Sequence, residues 1–177
     1  MAVAKRFIMY TTRFFAVIGL FVALSAVWMY CLRESTLSIW WHLTRGNQIA
    51  YQGRTMTLPL MWRVDQSQVF RGIRLERAYI GSWFTDSLGI LSPSPDKAGV
   101  LDDASALGWQ AELGARHAHN QSTHESSEVL YAKSMNFYCV ADEVGSSCKA
   151  AGTDWLILFG GRPQSQREAR GILKSMQ

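Results

Sequence analysis

The chain lacks any concentrated block of basic residues. Its 177 residues carry a formal net charge of +4, and the lysines and arginines are scattered along the sequence. A nucleic-acid-binding domain usually shows a basic stripe with interleaved aromatic residues. The pattern therefore predicts no nucleic-acid partner, and the small positive balance is typical of membrane flanks and ordinary protein surface.

The chain also lacks the short motifs that mark several enzyme classes. It contains no G-x-G-x-x-G or G-x-x-x-x-G-K-[ST] phosphate-binding motif, no G-x-S-x-G nucleophile motif and no C-x-x-C redox motif. Gly160-Gly161-Arg162 has the outline of a phosphate-binding turn, but without those motifs we interpret it as a strand that turns into a capped helix. The sequence accordingly predicts no catalytic residue and no cofactor.

One long apolar run stands out against this background. The segment from Phe14 to Leu32 carries no formal charge and is bracketed by Arg13 and Arg33. At about 1.5 Å per residue it matches a hydrocarbon core of roughly 30 Å, so we predict a transmembrane helix over residues 14–32. A cleaved signal peptide is the alternative, but the apolar run continues past its best cleavage match at Ala23-Leu24-Ser25.

The flanking charges favour one orientation of this helix. More basic residues precede it than follow it closely: Lys5, Arg6 and Arg13 against Arg33 and Arg45. The positive-inside rule then predicts a basic cytoplasmic N-terminus at 1–13. We expect a single-pass protein of the cell (inner) membrane, with a soluble domain at 47–177 on the periplasmic or extracellular side.

Cysteine usage agrees with this side of the membrane. Of three cysteines, Cys139 and Cys148 fall on two predicted facing strands separated by a turn-like segment. A disulfide between them is geometrically reasonable and would indicate an oxidising compartment. The alternative is a pair of unbonded, buried cysteines in a cytosolic domain.

Aromatic and small residues cluster in and beside the membrane segment. The chain has seven tryptophans, and tryptophan and tyrosine favour the bilayer interface. Small residues at helical spacing allow another helix to approach closely. We predict a membrane and partner interface formed by Gly19, Ala23, Ala26, Trp28, Tyr30, Trp40 and Trp41, with 33–46 as an interfacial or extended helix. The alternative is that the tryptophans mark only the bilayer interface and the small residues face lipid.

The remaining sequence predicts a folded α+β domain. Apolar residues make up 48% of the chain, enough for a core. Gly46 is predicted to end the helix at 33–46 as a C-cap, and a tight hairpin with its turn at Gly53-Arg54 follows. Further strand-like segments come next, then a helix from Val100 to His117, a hairpin with the cysteines, and a closing helix from Pro163 to Met176. We predict one N-terminal transmembrane helix followed by a small domain with an antiparallel sheet and helices packed on one face.

Three histidines are the candidates for a metal site. His117, His119 and His124 lie close together in the sequence, and H-x-H spacing can bind a transition metal. The segment has neither a cysteine nor a rigid scaffold. We therefore expect a solvated histidine-rich loop and no bound metal.

The last strand and helix resemble a known ending. The strand finishing Ile157-Leu158-Phe159-Gly160, followed by a short final helix, is similar to the end of PsbP-like α+β domains, although it includes no specific motif and transfers no functional residue. The resemblance implies a non-catalytic accessory module.

These observations together predict a membrane-anchored accessory or structural subunit that stabilises or helps assemble a larger membrane complex, with energy-converting complexes among the candidates. Its expected partners are the lipid bilayer and other subunits of that complex, which it would contact through the transmembrane helix and the tryptophan-rich exit. The alternatives are a membrane-tethered enzyme or metal-binding domain of the cell envelope, and a transient envelope sensor or assembly factor.

Overall fold

The computed structural model of the chain describes residues 2–65, 72–82, 84–92, 100–119, 126–141 and 145–177. It begins with helix α1 (Ala2–Val27), continues through a π-helical segment (Trp28–Leu32) and ends the helical run with α2 (Arg33–Arg45). Among the described residues, this is the one helix long and apolar enough to cross a membrane, judged by length and composition. The predicted N-terminal apolar helix is therefore present.

A glycine ends α2, as the sequence predicted. Gly46 has φ +80°, and its N–H donates to the carbonyl of His42 at 2.9 Å. Glycine adopts this left-handed conformation without the steric cost of a Cβ atom. The chain can therefore leave the helix abruptly and enter the first hairpin.

That hairpin pairs β1 (Gln48–Tyr51) with β2 (Arg54–Thr57) as a separate two-stranded sheet. The turn consists of Gln52 (φ +48°) and Gly53 (φ +79°), one residue earlier than the sequence indicated. Two successive left-handed residues define the type I′ turn, whose twist suits a two-residue hairpin. The indole N–H of Trp155 donates to Oε1 of Gln52 at 2.7 Å and holds the non-glycine residue in place.

A seven-stranded antiparallel sheet forms the body of the domain, in the order β3-β4-β5-β9-β8-β7-β6. Two further helices, α3 (Asp103–His119) and α4 (Pro163–Lys174), pack against it. This α+β architecture confirms the predicted fold class. The strands are β3 (Trp62–Val64), β4 (Gly72–Arg77), β5 (Asp86–Leu91), β6 (Ser126–Tyr131), β7 (Asn136–Ala141), β8 (Gly145–Ala150) and β9 (Leu156–Gly160).

The main core lies on one face of the large sheet. There α2, the β1–β2 hairpin and α4 cover the strands, and their buried residues include Trp41, Met56, Trp62, Ile157, Ile172 and Leu173. In α4 the buried side chains recur at Ser165, Ala169, Ile172 and Leu173, the spacing of an amphipathic helix.

The structure adds a second, smaller cluster on the other face. Cys139 belongs to the main core, whereas its neighbour Tyr138 packs with Ala106 of α3. Successive residues of a strand point to opposite faces of the sheet. Helix α3 therefore covers the outer strands from the side opposite to α2 and α4, where Gln110 donates to the carbonyl of Cys139 at 2.6 Å. The α+β class is as predicted, but the helices lie on both faces of the sheet and not on one, because the outer strands bury apolar side chains on each face.

Candidate functional site

The passage from the long apolar helix into the domain runs through the π-helical segment. A π-helical turn shifts the backbone hydrogen bonds by one residue and releases carbonyl groups for other partners. The carbonyl of Cys31 accepts the N–H of Gly81, in the connection between β4 and β5, at 2.8 Å. The carbonyl of Leu32 accepts the hydroxyl of Ser35 at 3.0 Å. The helix is thus joined to the sheet one residue before the predicted membrane segment ends.

Helix α2 then packs along the edge of the domain through one face. The hydroxyl of Ser38 donates to the carbonyl of Leu60 at 2.9 Å. Nε2 of His42 lies 3.0 Å from the carbonyl of Pro59 and 2.7 Å from that of Trp62. Both partners are acceptors, so Nε2 must be the protonated nitrogen of this imidazole. These bonds fix the rotation of α2 about its axis.

A charged network strengthens the start of the same helix. Glu34 lies 2.5 Å from Nη2 of Arg63, and that guanidinium also contacts Glu76 at 3.3 Å. The side chains of Glu34 and Arg63 are each only 15% exposed. Interactions between partly buried charges are screened less than those between exposed charges, so the network joins α2 to β3 and β4 more firmly than a surface ion pair would.

The opposite face of α2 remains apolar and uncovered by the described residues. Ile39, Trp40 and Leu43 are 39%, 64% and 75% exposed. They lie at about 100–200° around the helix axis from Ser38, which faces the domain. An apolar stripe this far round a docked helix marks a surface suited to another apolar surface. We call these three residues the outward stripe.

The structure divides the predicted interface residues into two groups. Gly19, Ala23, Ala26, Trp28, Tyr30 and Trp40 all lie exposed on the long helix. A Cβ atom added at Gly19 would meet no described atom within 4 Å beyond its own helix, so a second helix has room there. Trp41 is different, because it is 7% exposed and packs in the chain's own core. It is therefore not available to a partner.

A buried ion pair holds α4 against the sheet. Arg77 on β4 donates from Nε to Oε2 of Glu168 at 2.7 Å and from Nη2 to Oε1 at 3.0 Å. The indole N–H of Trp62 also donates to Oε2, at 2.7 Å. Burial tends to raise the pKa of Glu168, but the hydrogen bonds from Arg77, Trp62 and Gln164 outweigh it and hold that pKa below its ordinary value. The carboxylate is fully engaged, which fits a structural role.

The start of α4 is capped by the chain itself. Oδ2 of Asp86 accepts the N–H of Arg162 at 3.0 Å and the hydroxyl of Tyr79. Burial raises the pKa of Tyr79, and the hydrogen bond to Asp86 raises it further. A carboxylate thus lies at the helix N-terminus, where an external anion would otherwise bind. This agrees with a capped helix at Gly160-Gly161-Arg162.

Serine and lysine occur in S-x-x-K spacing at Ser146 and Lys149, a pattern found in some acyl-transferring enzymes. Both residues lie on β8, and residues three apart on a strand point to opposite faces. The serine and lysine therefore cannot act together. A second match, Ser94 to Lys97, falls outside the described residues.

The cysteines and histidines complete the set of predicted candidates. Cys139 and Cys148 pair directly across β7 and β8, and their sulfur atoms are 2.04 Å apart, in agreement with the predicted disulfide. His117 and His119 belong to the backbone of α3, but the structure does not describe their side chains, and His124 lies outside the described residues. Within the described part of the chain, no three histidine, cysteine or acidic residues form a group that could hold a metal ion.

The sequence did not predict the contacts that join the end of the long helix and α2 to the domain. Gly81, Ser38, His42 and Arg63 carry no motif, and their partners are distant in the chain. The only available signal was the spacing of the buried residues Ser35, Ser38 and Trp41 along α2, which follows one helical face. The chain matches no protein-family model and no curated protein sequence.

Proposed function

We propose that the chain is a single-pass, membrane-anchored accessory subunit that stabilises or helps assemble a larger membrane protein complex. The observation that carries the proposal is the outward stripe of α2, which continues the exposed apolar surface of the membrane helix into the soluble part of the molecule. A helix of a neighbouring membrane protein is the partner that fits this continuous surface.

The position of the stripe favours a protein partner over lipid. Leu43 lies about 16 Å beyond Leu32 along the helix, at about 1.5 Å per residue. The hydrocarbon segment predicted at 14–32 ends well before it. A transmembrane helix of a partner that extends beyond the bilayer would cover the stripe and could approach closely at Gly19 and Ala23.

The compartment is part of the same proposal. The disulfide between Cys139 and Cys148 supports a domain in an oxidising compartment, such as a bacterial periplasm or the cell exterior. The excess of basic residues before the helix supports a cytoplasmic N-terminus in a cell membrane. Under this proposal the domain lies on the non-cytoplasmic side of the membrane and contacts its partners there.

The test combines crosslinking with native purification. A photoreactive residue at Trp40 is expected to crosslink to a defined membrane protein in cells. That protein should be recovered with the tagged chain in mild detergent at a fixed stoichiometry and in high salt. The double variant Trp40→Ser/Leu43→Ser should lose it by more than tenfold, because the substitutions remove the apolar contact without touching the chain's own core.

The control is Tyr131→Ser, which changes a side chain that is 70% exposed on the edge strand β6. This variant should retain the partner. Recovery of the chain alone, as a monomer or homo-oligomer, would contradict the proposal. Loss of the partner at modest salt would instead identify a transient assembly factor, and crosslinking to lipid alone would assign the stripe to the bilayer.

A further inference from the structure

The connection between β4 and β5 lies beside the end of the predicted membrane segment. The N–H of Gly81 is 2.8 Å from the carbonyl of Cys31, and Cys31 is the penultimate residue of the apolar run that ends at Leu32. A direct backbone hydrogen bond sets the height of this connection along the helix. It must therefore lie at the level where the helix leaves the bilayer.

The register of the sheet shows which end of the domain faces the same way. Arg77 pairs with Asp86 at the end of β4 and the start of β5, and Gly160 leaves β9 at this same end. Tyr131 pairs with Asn136 at the opposite end of the sheet. Strands of this length separate the two ends by about 17 Å.

Large apolar side chains project from this connection. Ile80 is 71% exposed and Phe84 is 62% exposed. One exposed apolar residue is ordinary on a protein surface. Two of them on a short connection bonded to the exit of a membrane helix form an apolar projection at the depth where the bilayer begins. Burying such side chains in the headgroup region removes apolar surface from water.

Two arginines lie near this end of the domain, at the level expected for lipid phosphates. The guanidinium of Arg162 lies 4.1 Å from the ring centre of Tyr79, and the residue is exposed. The side chain of Arg33, two residues after Cys31, is 55% exposed. The carboxylate of Asp86 is also close to Arg162, and it already accepts hydrogen bonds from the Tyr79 hydroxyl and from the backbone N–H of Arg162. Guanidinium groups suit phosphate recognition because several donors converge.

From this arrangement we infer that Ile80 and Phe84, in the β4–β5 connection, form a second membrane contact. Ile80 and Phe84 insert into the headgroup region of the lipid bilayer beside the helix exit, while Arg162 and Arg33 contact lipid phosphates. The sheet then stands with the Arg77–Asp86 end on the membrane and the Tyr131 end away from it. This assignment concerns lipid alone and does not depend on the proposed partner complex.

The experiment uses the full-length chain reconstituted in phosphatidylcholine and phosphatidylglycerol liposomes. In a Cys31→Ser background, single cysteines are introduced as Ile80→Cys, Phe84→Cys and Tyr131→Cys, and each is labelled with a small bimane fluorophore. Nitroxide lipids with the spin label near the headgroup should reduce the fluorescence at positions 80 and 84 by roughly half or more, because interfacial groups lie about 5–10 Å into the boundary. The label at position 131 should be unaffected.

Labels at two positions in the connection show whether a result comes from a local disturbance by one label. The native disulfide is checked in every variant. If neither label responds to nitroxide lipid and both respond to aqueous iodide like position 131, the inference is wrong. Labels shielded from iodide yet insensitive to nitroxide lipid would be covered by protein, which also overturns it. Because the liposomes hold no other protein, failure of the partner proposal would leave this result unchanged.

Discussion

Glu168→Ala is the substitution that most sharply tests how the domain is held together. Glu168 receives two hydrogen bonds from Arg77 and one from Trp62. The side chain of Arg77 is only 5% exposed, and Trp62 is fully buried. Removing the carboxylate leaves a charged guanidinium and an indole N–H buried without their acceptor.

The expected cost follows from that loss. Breaking one side of a buried ion pair typically costs about 3–5 kcal/mol. The side chain of Glu168 is 25% exposed, so water can partly solvate the gap. We therefore expect about 3 kcal/mol, which lowers the Tm of a domain of this size by about 10 °C. Arg167→Ala, an exposed site on the same helix, should change stability by less than about 0.5 kcal/mol.

The assay is urea unfolding of the purified chain in detergent, followed by tryptophan fluorescence. The decisive comparison is with the double variant Arg77→Met/Glu168→Leu, which replaces both charges by apolar groups. Its loss should be smaller than that of Glu168→Ala, because no unpaired charge stays buried. A double variant that is as unstable as Glu168→Ala, or less stable, would refute the reasoning.

The same carboxylate predicts an acid sensitivity. Its pKa in the folded protein lies below the ordinary value of 4.5, so the unfolded state binds the proton more readily. The stabilisation is then complete above the unfolded pKa and is lost as the pH falls through the folded pKa. As the pH falls below about 5, the unfolding free energy of Glu168→Gln should decline less steeply than that of the wild type. An equal decline in the two proteins would assign it to other groups.

Two further predictions concern backbone geometry and the disulfide. Gly161 has φ +96°, and a Cβ atom there would lie 2.2 Å from the carboxyl carbon of Asp86. Gly161→Ala should therefore cost well over the roughly 1 kcal/mol expected for Gly152→Ala, where φ is +76° but space is open. Equal losses of unfolding free energy in urea would contradict this. Reduction of the Cys139–Cys148 bond should destabilise the domain by about 2 kcal/mol or more. A reductant that leaves the unfolding midpoint of the wild type unchanged would contradict that expectation.

The features that the sequence predicted correctly are those encoded locally. An uninterrupted apolar run identifies the N-terminal helix, the residues around Gly53 identify a hairpin, and Gly46 identifies the end of α2. The cysteine pair also lies within one hairpin. In each case the interacting residues are close in the chain, so spacing and residue type contain the information.

The features that could not be predicted depend on distant partners. Arg77 and Glu168 are separated by 91 positions, and the residues around one of them do not indicate that the other is its partner. Trp40 and Trp41 are neighbours of the same type, yet one is 64% exposed and the other 7%. Only the docking of α2 through Ser38 and His42 decides which of them faces the core, and that docking arises from the assembled sheet.

The junction between the long N-terminal helix and the domain has a mechanical consequence. Helix follows helix from Ala2 to Arg45, and the exit is bonded to Gly81 while α2 is built into the core. No loop separates the two parts, so a rotation of the long helix about its axis also rotates the domain. Inserting one residue into α1 would rotate the whole domain by about 100° relative to anything bound to the first half of that helix. The angular position of the domain relative to the first half of α1 therefore depends on the number of helical residues between them.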